Sequence, residues 1–116
     1  MLFAVSDEVQ ELRVLLGSKV TMTCSSATDV EWHKVKELIY SHGKIYEPFP
    51  SSRFSVEHAG SRYDLVINNT SLDDDGEYFC FGATGGAFIK KYRLKVVGGN
   101  FCHFLVLWIF IYGSET

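Results

Sequence analysis

This chain carries no basic excess: eleven Lys and Arg stand against fourteen Asp and Glu in 116 residues, a formal charge of -3. The electrostatic footprint that nucleic acid or an anionic membrane surface requires is therefore missing. Proline is scarce, with two residues, and neither low-complexity tracts nor repeats of solenoid length occur. No CxxC or HExxH occurs, and the histidines at His33, His42, His58 and His103 are scattered, so zinc lacks its clustered ligands. No GxSxG elbow is present, and a Ser, His and Asp set chosen freely from so many residues carries no weight. The expectation is a non-enzyme with neither metal nor cofactor. Three cysteines, Cys24, Cys80 and Cys102, permit one internal bridge and leave one thiol over.

One acidic stretch invites a metal reading. In Ser71–Cys80, "SLDDDGEYFC", three carboxylates precede a glycine. An EF-hand with Gly76 in sixth place would start at Ser71 and end at Gly82, which leaves both ends of the cage without a carboxylate. Turn chemistry followed by strand formers accounts for more of the letters.

What is present suits one β domain. Hydrophobic residues make up 47% and aromatics 15% of the chain, ample for a core at this length. Short alternating runs recur between turn residues, and no long segment keeps a helical period. "KVTMTC" places Val20, Met22 and Cys24 on one side. "DVEWHKV" turns Val30 and Trp32 inward, with Glu31 and His33 outward. "RYDLVIN" points Tyr63, Leu65 and Ile67 inward, "GEYFCF" does so with Tyr78 and Cys80, and "KYRLKVV" sets Tyr92, Leu94 and Val96 against Lys91, Arg93 and Lys95. Strands at this spacing suit a two-sheet sandwich.

Cys24, Trp32, Leu65, Ile67, Asp74, Gly76, Tyr78 and Cys80 reproduce Cys, Trp, LxI and DxGxYxC, and over about Glu8 to Val97 the chain resembles immunoglobulin domains, intermediate-set or variable-like. The resemblance implies an all-β, immunoglobulin-like two-sheet Greek-key sandwich. It further implies a Cys24 to Cys80 bridge between the sheets, Trp32 packed on it and Tyr78 as a tyrosine corner. It also pairs Asp74 with an arginine at the start of strand D, here Arg53. Two departures from antigen-receptor variable domains stand out: Trp32 follows Cys24 closely, and no FGxG follows "FGATGGAF". The segment between Ile39 and Arg53 is long and implies an added edge strand or loop.

Function in such a fold lies in its surface. Alternation turns Phe79 and Phe81 outward, beside Lys91 and Arg93 on strand G and His33 and Val35 on strand C, a set of aromatics and cations suited to an interface centre. The competing reading is that a neighbouring loop or the C-terminal tail covers these rings. "GATGGAF" offers only Phe88 as an anchor and suggests mobility. "NNTS" holds overlapping sequons at Asn68 and Asn69, which serve glycosylation in a secreted chain or a turn between strands E and F.

The expected boundaries are a domain over 1–98 and an apolar tail over 99–116. "MLFAVS" at the start is too short for a signal peptide and fits either a cleavage-site remnant or an ordinary first strand. "FCHFLVLWIFIY", residues 101–112, is a twelve-residue apolar run reaching only ~18 Å as a helix against a hydrocarbon core of ~30 Å. It reads as part of a truncated membrane anchor, as an element packed on the domain, or as a tail foreign to the mature protein. Two functions follow as expectations. The first is a cell-surface recognition or adhesion module binding a protein homophilically or heterophilically, with membrane association through 101–112. The alternative is an intracellular structural domain of a titin-like muscle array in the cytoplasmic sarcomere.

Overall fold

Alternating apolar residues become strands wherever one side can be covered. The computed structural model describes residues 9–98. In chain order it contains β1 (Gln10–Leu15), β2 (Val20–Met22), β3 (Val30–Lys34), β4 (Glu37–Ser41), β5 (Lys44–Ile45), β6 (Phe54–Ala59), β7 (Arg62–Ile67), β8 (Gly76–Gly82) and β9 (Phe88–Val97). Six strands form one sheet in the order β1-β9-β8-β3-β4-β5, and three form the other in the order β2-β7-β6. Among the described residues only β1 and β9 pair in parallel; the remaining pairs are antiparallel. The fold is an all-β, immunoglobulin-like sandwich. The long segment after Ile39 forms edge strand β5 and a loop containing a cis Glu47–Pro48 peptide.

Between the sheets lies a core built from the inward sets. Val20, Met22 and Cys24 face Trp32, Tyr78, Cys80, Tyr92, Leu94 and Val96, with Leu65, Ile67 and Phe54 closing it from the smaller sheet. Cys24 and Cys80 are joined by a disulfide whose Cα atoms stand 6.6 Å apart. Trp32 is fully buried; its indole N–H donates to the Tyr63 carbonyl at 2.9 Å and its ring centroid lies 6.1 Å from that of Tyr92. An indole can be buried at low cost when its N–H finds a partner, and here the partner is on the opposite sheet.

The acidic run is structural. Ser71 caps a 3-10 turn over Leu72–Asp74: its Oγ accepts from the Asp73 N–H at 3.0 Å, while the Asp74 carboxylate accepts from the Ser71 N–H at 2.8 Å. This is a capping box, two donors satisfied reciprocally. Asp74 also accepts from Arg53, and Asp75 accepts from the Val96 N–H of β9. Gly76, at φ +146°, turns the chain into β8 through a conformation that side-chain-bearing residues rarely adopt. The Tyr78 hydroxyl then reaches back to donate to the Asp74 carbonyl.

Two strand expectations differ from the structure. Asp64 and Val66 are as buried as the inward residues of β7. This strand is central in its sheet, between β2 and β6, and Asp64 is used: it accepts from the Cys24 N–H at 3.2 Å and pairs with Arg62. Val35 is not on the strand that carries His33. β3 ends at Lys34, and Val35 takes a left-handed turn at φ +54° with its side chain 59% exposed.

Candidate functional site

The outer face of the six-stranded sheet is sorted by strand register into an aromatic half and an ionic half. Cross-strand pairing sets His33 opposite Phe79 and Phe79 opposite Lys91, and in the next row Glu31 opposite Phe81 and Phe81 opposite Phe88. Toward the other end, Glu77 stands opposite Arg93, which in turn stands opposite Glu11 of β1. Because outward residues recur every second position, neighbours on adjacent strands meet in rows.

Four rings form the aromatic half. Phe79 and Phe81 stack with centroids 6.0 Å apart and planes inclined by 12°. His33 meets Phe81 edge-on at 5.3 Å, and Phe88 meets it from the other side at 6.1 Å. Lys91 sets its ammonium 5.3 Å from the Phe79 centroid, within cation-π range. Phe79 and Phe81 are half-buried and Phe88 is 44% exposed. Among the described residues, the rings are supported from below and stay partly open to solvent.

A polar edge borders this cluster. The carboxylate of Glu31 accepts from Ser41 Oγ at 3.1 Å and lies 3.1 Å from His33 Nε2. Glu77 sits 3.7 Å from Lys91 and 3.5 Å from Arg93. Such half-exposed pairs contribute little stability each but fix where charge is presented.

The structure thus brings together His33, Phe79, Phe81, Lys91 and Arg93 on one face and leaves Val35 outside the group, on the turn below it. Sequence reasoning treated Phe88 as the lone anchor of a mobile loop, whereas it is the first residue of β9 and packs on Phe81. Glu77 and Leu38, which stands opposite His33 on β4, also belong to the face and were missed. Their alternation was readable, but which strand lies beside which was not.

Other candidate residues lie elsewhere. Arg53 and Asp74 form a two-pronged pair at 2.8 and 3.3 Å. Asn68 and Asn69 are exposed, Asn69 at φ +51°, and Arg53 donates to both their carbonyls at 3.4 and 3.3 Å. Leu65 is fully buried. Cys102 and the 101–112 run lie outside the described residues. Among the described residues no cluster of three His, Cys, Asp or Glu could hold a metal, and no helix is long and apolar enough to cross a membrane.

Comparison with known proteins assigns the family and the fold. The family model for the immunoglobulin V-set domain matches residues 8–97. Zwei Ig domain protein zig-2 of Caenorhabditis elegans is 38% identical over 66 residues, 55% of this chain and 23% of that protein. The chain therefore spans about a quarter of that curated relative. The extracellular fragment of novel immune-type receptor 11 from Ictalurus punctatus, including its stalk region, superposes with a TM-score of 0.67 at 31% identity, covering 81% of this chain and 89% of that one. Dpr1 IG1 bound to DIP-eta IG1 gives a TM-score of 0.66 at 23% identity over 78% and 92% of the two chains, a likeness of fold.

Proposed function

The chain belongs to the immunoglobulin V-set family, and from that premise we propose that it is a non-enzymatic protein-recognition or adhesion module of the cell surface. One observation carries the reading: an open sheet face with Phe79, Phe81, Phe88 and His33 at its centre and charged residues at its border. Interfaces place aromatic anchors in the middle of a patch and polar residues around them, and this face has that distribution before any partner arrives. Support also comes from relatives described as working in pairs, a ZIG-8–RIG-5 IG1–IG1 heterodimer and a ZIG-8 IG1 homodimer, although at 17% identity they share the fold alone. The bound partner is a protein, a second copy or another receptor.

The finer assignments belong to the same proposal. The domain comprises 1–98, and the apolar stretch within 99–116 associates with a membrane. The close spacing of Cys24 and Trp32 favours an intermediate-set-like variant. Asn68 or Asn69 carries a glycan in the secretory pathway, on the flank away from the aromatic face.

The decisive experiment compares the wild type with Phe79→Ser/Phe81→Ser, by sedimentation for self-association and by binding of tetramerised protein to cells of the source tissue. Loss of association with a nearly unchanged melting curve supports the reading. Undiminished association overturns it, as does a collapse of stability that would show the two rings to be core.

A further inference from the structure

Six large apolar side chains stand exposed among the described residues: Val9, Leu15, Leu16, Val35, Leu72 and Phe88. Four of them share one pole. Leu15 and Leu16 end β1, where the Leu16 N–H donates to the Val97 carbonyl at 2.8 Å. Leu72 opens the 3-10 turn, and its Cδ2 lies 3.5 Å from the point that a Cβ on Gly98 would occupy. The turn after β1 is held to the turn after β7 by hydrogen bonds from Gly17 N–H to the Thr70 carbonyl at 2.8 Å and from Thr70 N–H to the Ser18 carbonyl at 3.0 Å. Lys34 donates from Nζ to the Asp73 carbonyl, which ties the turn bearing Val35 to the same end. Leu15, Leu16, Val35 and Leu72, exposed by 59, 41, 59 and 56%, are thus four apolar side chains presented at one end of the sandwich.

The chain leaves the domain at this pole. Gly98 is separated from Phe101, where the apolar run starts, by Gly99 and Asn100 alone. Three peptide steps cannot exceed ~11 Å. Wherever the run settles, the pole must stay beside it. Its twelve residues are too few to cross the hydrocarbon core as a helix, but enough to occupy the interfacial zone of a bilayer. Lys19 and Lys36, exposed on the same turns, have stems that can lie along an apolar surface while the ammonium stays in water.

We propose that Leu15, Leu16, Val35 and Leu72 form a lipid-contacting pole that rests on a bilayer and sets the domain's orientation above it. The proposal rests on the reading that 101–112 associates with membrane, and the test separates the two. The full chain is mixed with phosphatidylcholine vesicles brominated in the acyl chains, as Leu72→Trp or as Phe88→Trp, with the parent's fluorescence subtracted. Phe88 stands at the far end of β9, roughly 30 Å from Val97 at the usual rise of a strand. Quenching at position 72 and none at 88 is expected. Leu15→Ser/Leu16→Ser/Leu72→Ser should weaken vesicle partitioning by at least about tenfold at an unchanged melting temperature, from the lost burial of three leucines, each only partly inserted. If vesicles carry the chain but position 72 stays unquenched, the lipid pole is refuted and membrane association through 101–112 stands. If vesicles do not bind, and Phe104→Ser/Val106→Ser/Ile109→Ser changes nothing, both fall. A dimer that the triple serine variant converts to monomer, with no vesicle effect, assigns the pole to a second copy and overturns the proposal.

Discussion

Arg53 Nη1 donates to Asp74 Oδ2 at 2.8 Å, which joins the start of β6 to the turn that launches β8. Asp74 is 4% exposed and also holds the Ser71 N–H, so a single carboxylate serves a salt bridge and a cap. Its hydrogen bond is the leading cause that raises the Arg53 pKa above its ordinary value. Arg53 is half-buried but Asp74 is buried, so removing the arginine leaves a buried carboxylate without its counter-charge, a larger loss than the pair's net contribution. Arg53→Ala should therefore lower the urea-unfolding free energy by about 3 kcal/mol. Asp74→Ala should cost about as much or more, because the cap is lost as well. A double variant costing little more than either single one is expected; additive losses would show that the two residues act separately.

Cys24 and Cys80 are 56 positions apart, and a loop of that length loses ~4 kcal/mol of denatured-state freedom when closed. Cys24→Ala/Cys80→Ala should lower stability by about 2–5 kcal/mol with the aromatic face still able to bind in the folded fraction. Denaturant titration with and without reductant reads the first part, and partner binding at low temperature the second.

Tyr78 should govern behaviour in alkali. Burial is the main cause pushing its phenol far above the ordinary value, and the Asp74 charge adds to it while Arg53 opposes it. The folded pKa exceeds the unfolded one of about 10, so the contribution is fully present below that pH and is lost as pH rises further. Stability should fall above pH ~10 by about 1.4 kcal/mol per pH unit from this residue alone. Tyr40, also raised by burial, steepens the fall. Tyr78→Phe should be weaker at neutral pH by about 1–2 kcal/mol, from the orphaned Asp74 carbonyl, yet decline less steeply in alkali. Equal slopes in the two proteins would show that the phenol is not held neutral.

On the proposed recognition face the rings and the cations should separate kinetically. Phe81 contacts Phe79, His33 and Phe88 at once, so Phe81→Ala should cost 2 kcal/mol or more of binding, by about the measure of an interface hot spot, and act through dissociation. Lys91→Ala and Arg93→Ala should mainly lower the association rate and flatten its salt dependence. Surface plasmon resonance at two ionic strengths distinguishes these effects.

Strand positions and their inward sets were legible because one side of each strand meets a core: Val20, Met22, Trp32, Tyr78 and Leu94 could be assigned by period alone. Asp64 and Val66 escaped that rule: both are buried in a strand flanked by β2 and β6, and period alone does not tell which strands will flank it. Val35 escaped because alternation does not say where a strand stops, and a left-handed turn residue in valine carries no sequence signal. The face was half legible. Phe79 and Phe81 follow from period, but Phe88 and Glu77 join them only through the pairing of β8 with β9, a long-range register that adjacent letters do not encode.

The parallel pairing of β1 with β9 also decides how the molecule bears tension. Gln10 meets Tyr92 while Leu15 meets Val97, so both strands point toward the same pole and Val9 and Gly98 mark opposite ends of the ladder. A pull that separates those ends slides one strand along the other and strains all six pairs together, whereas peeling would break them singly. Tension applied between Val9 and Gly98 therefore loads the whole ladder at once.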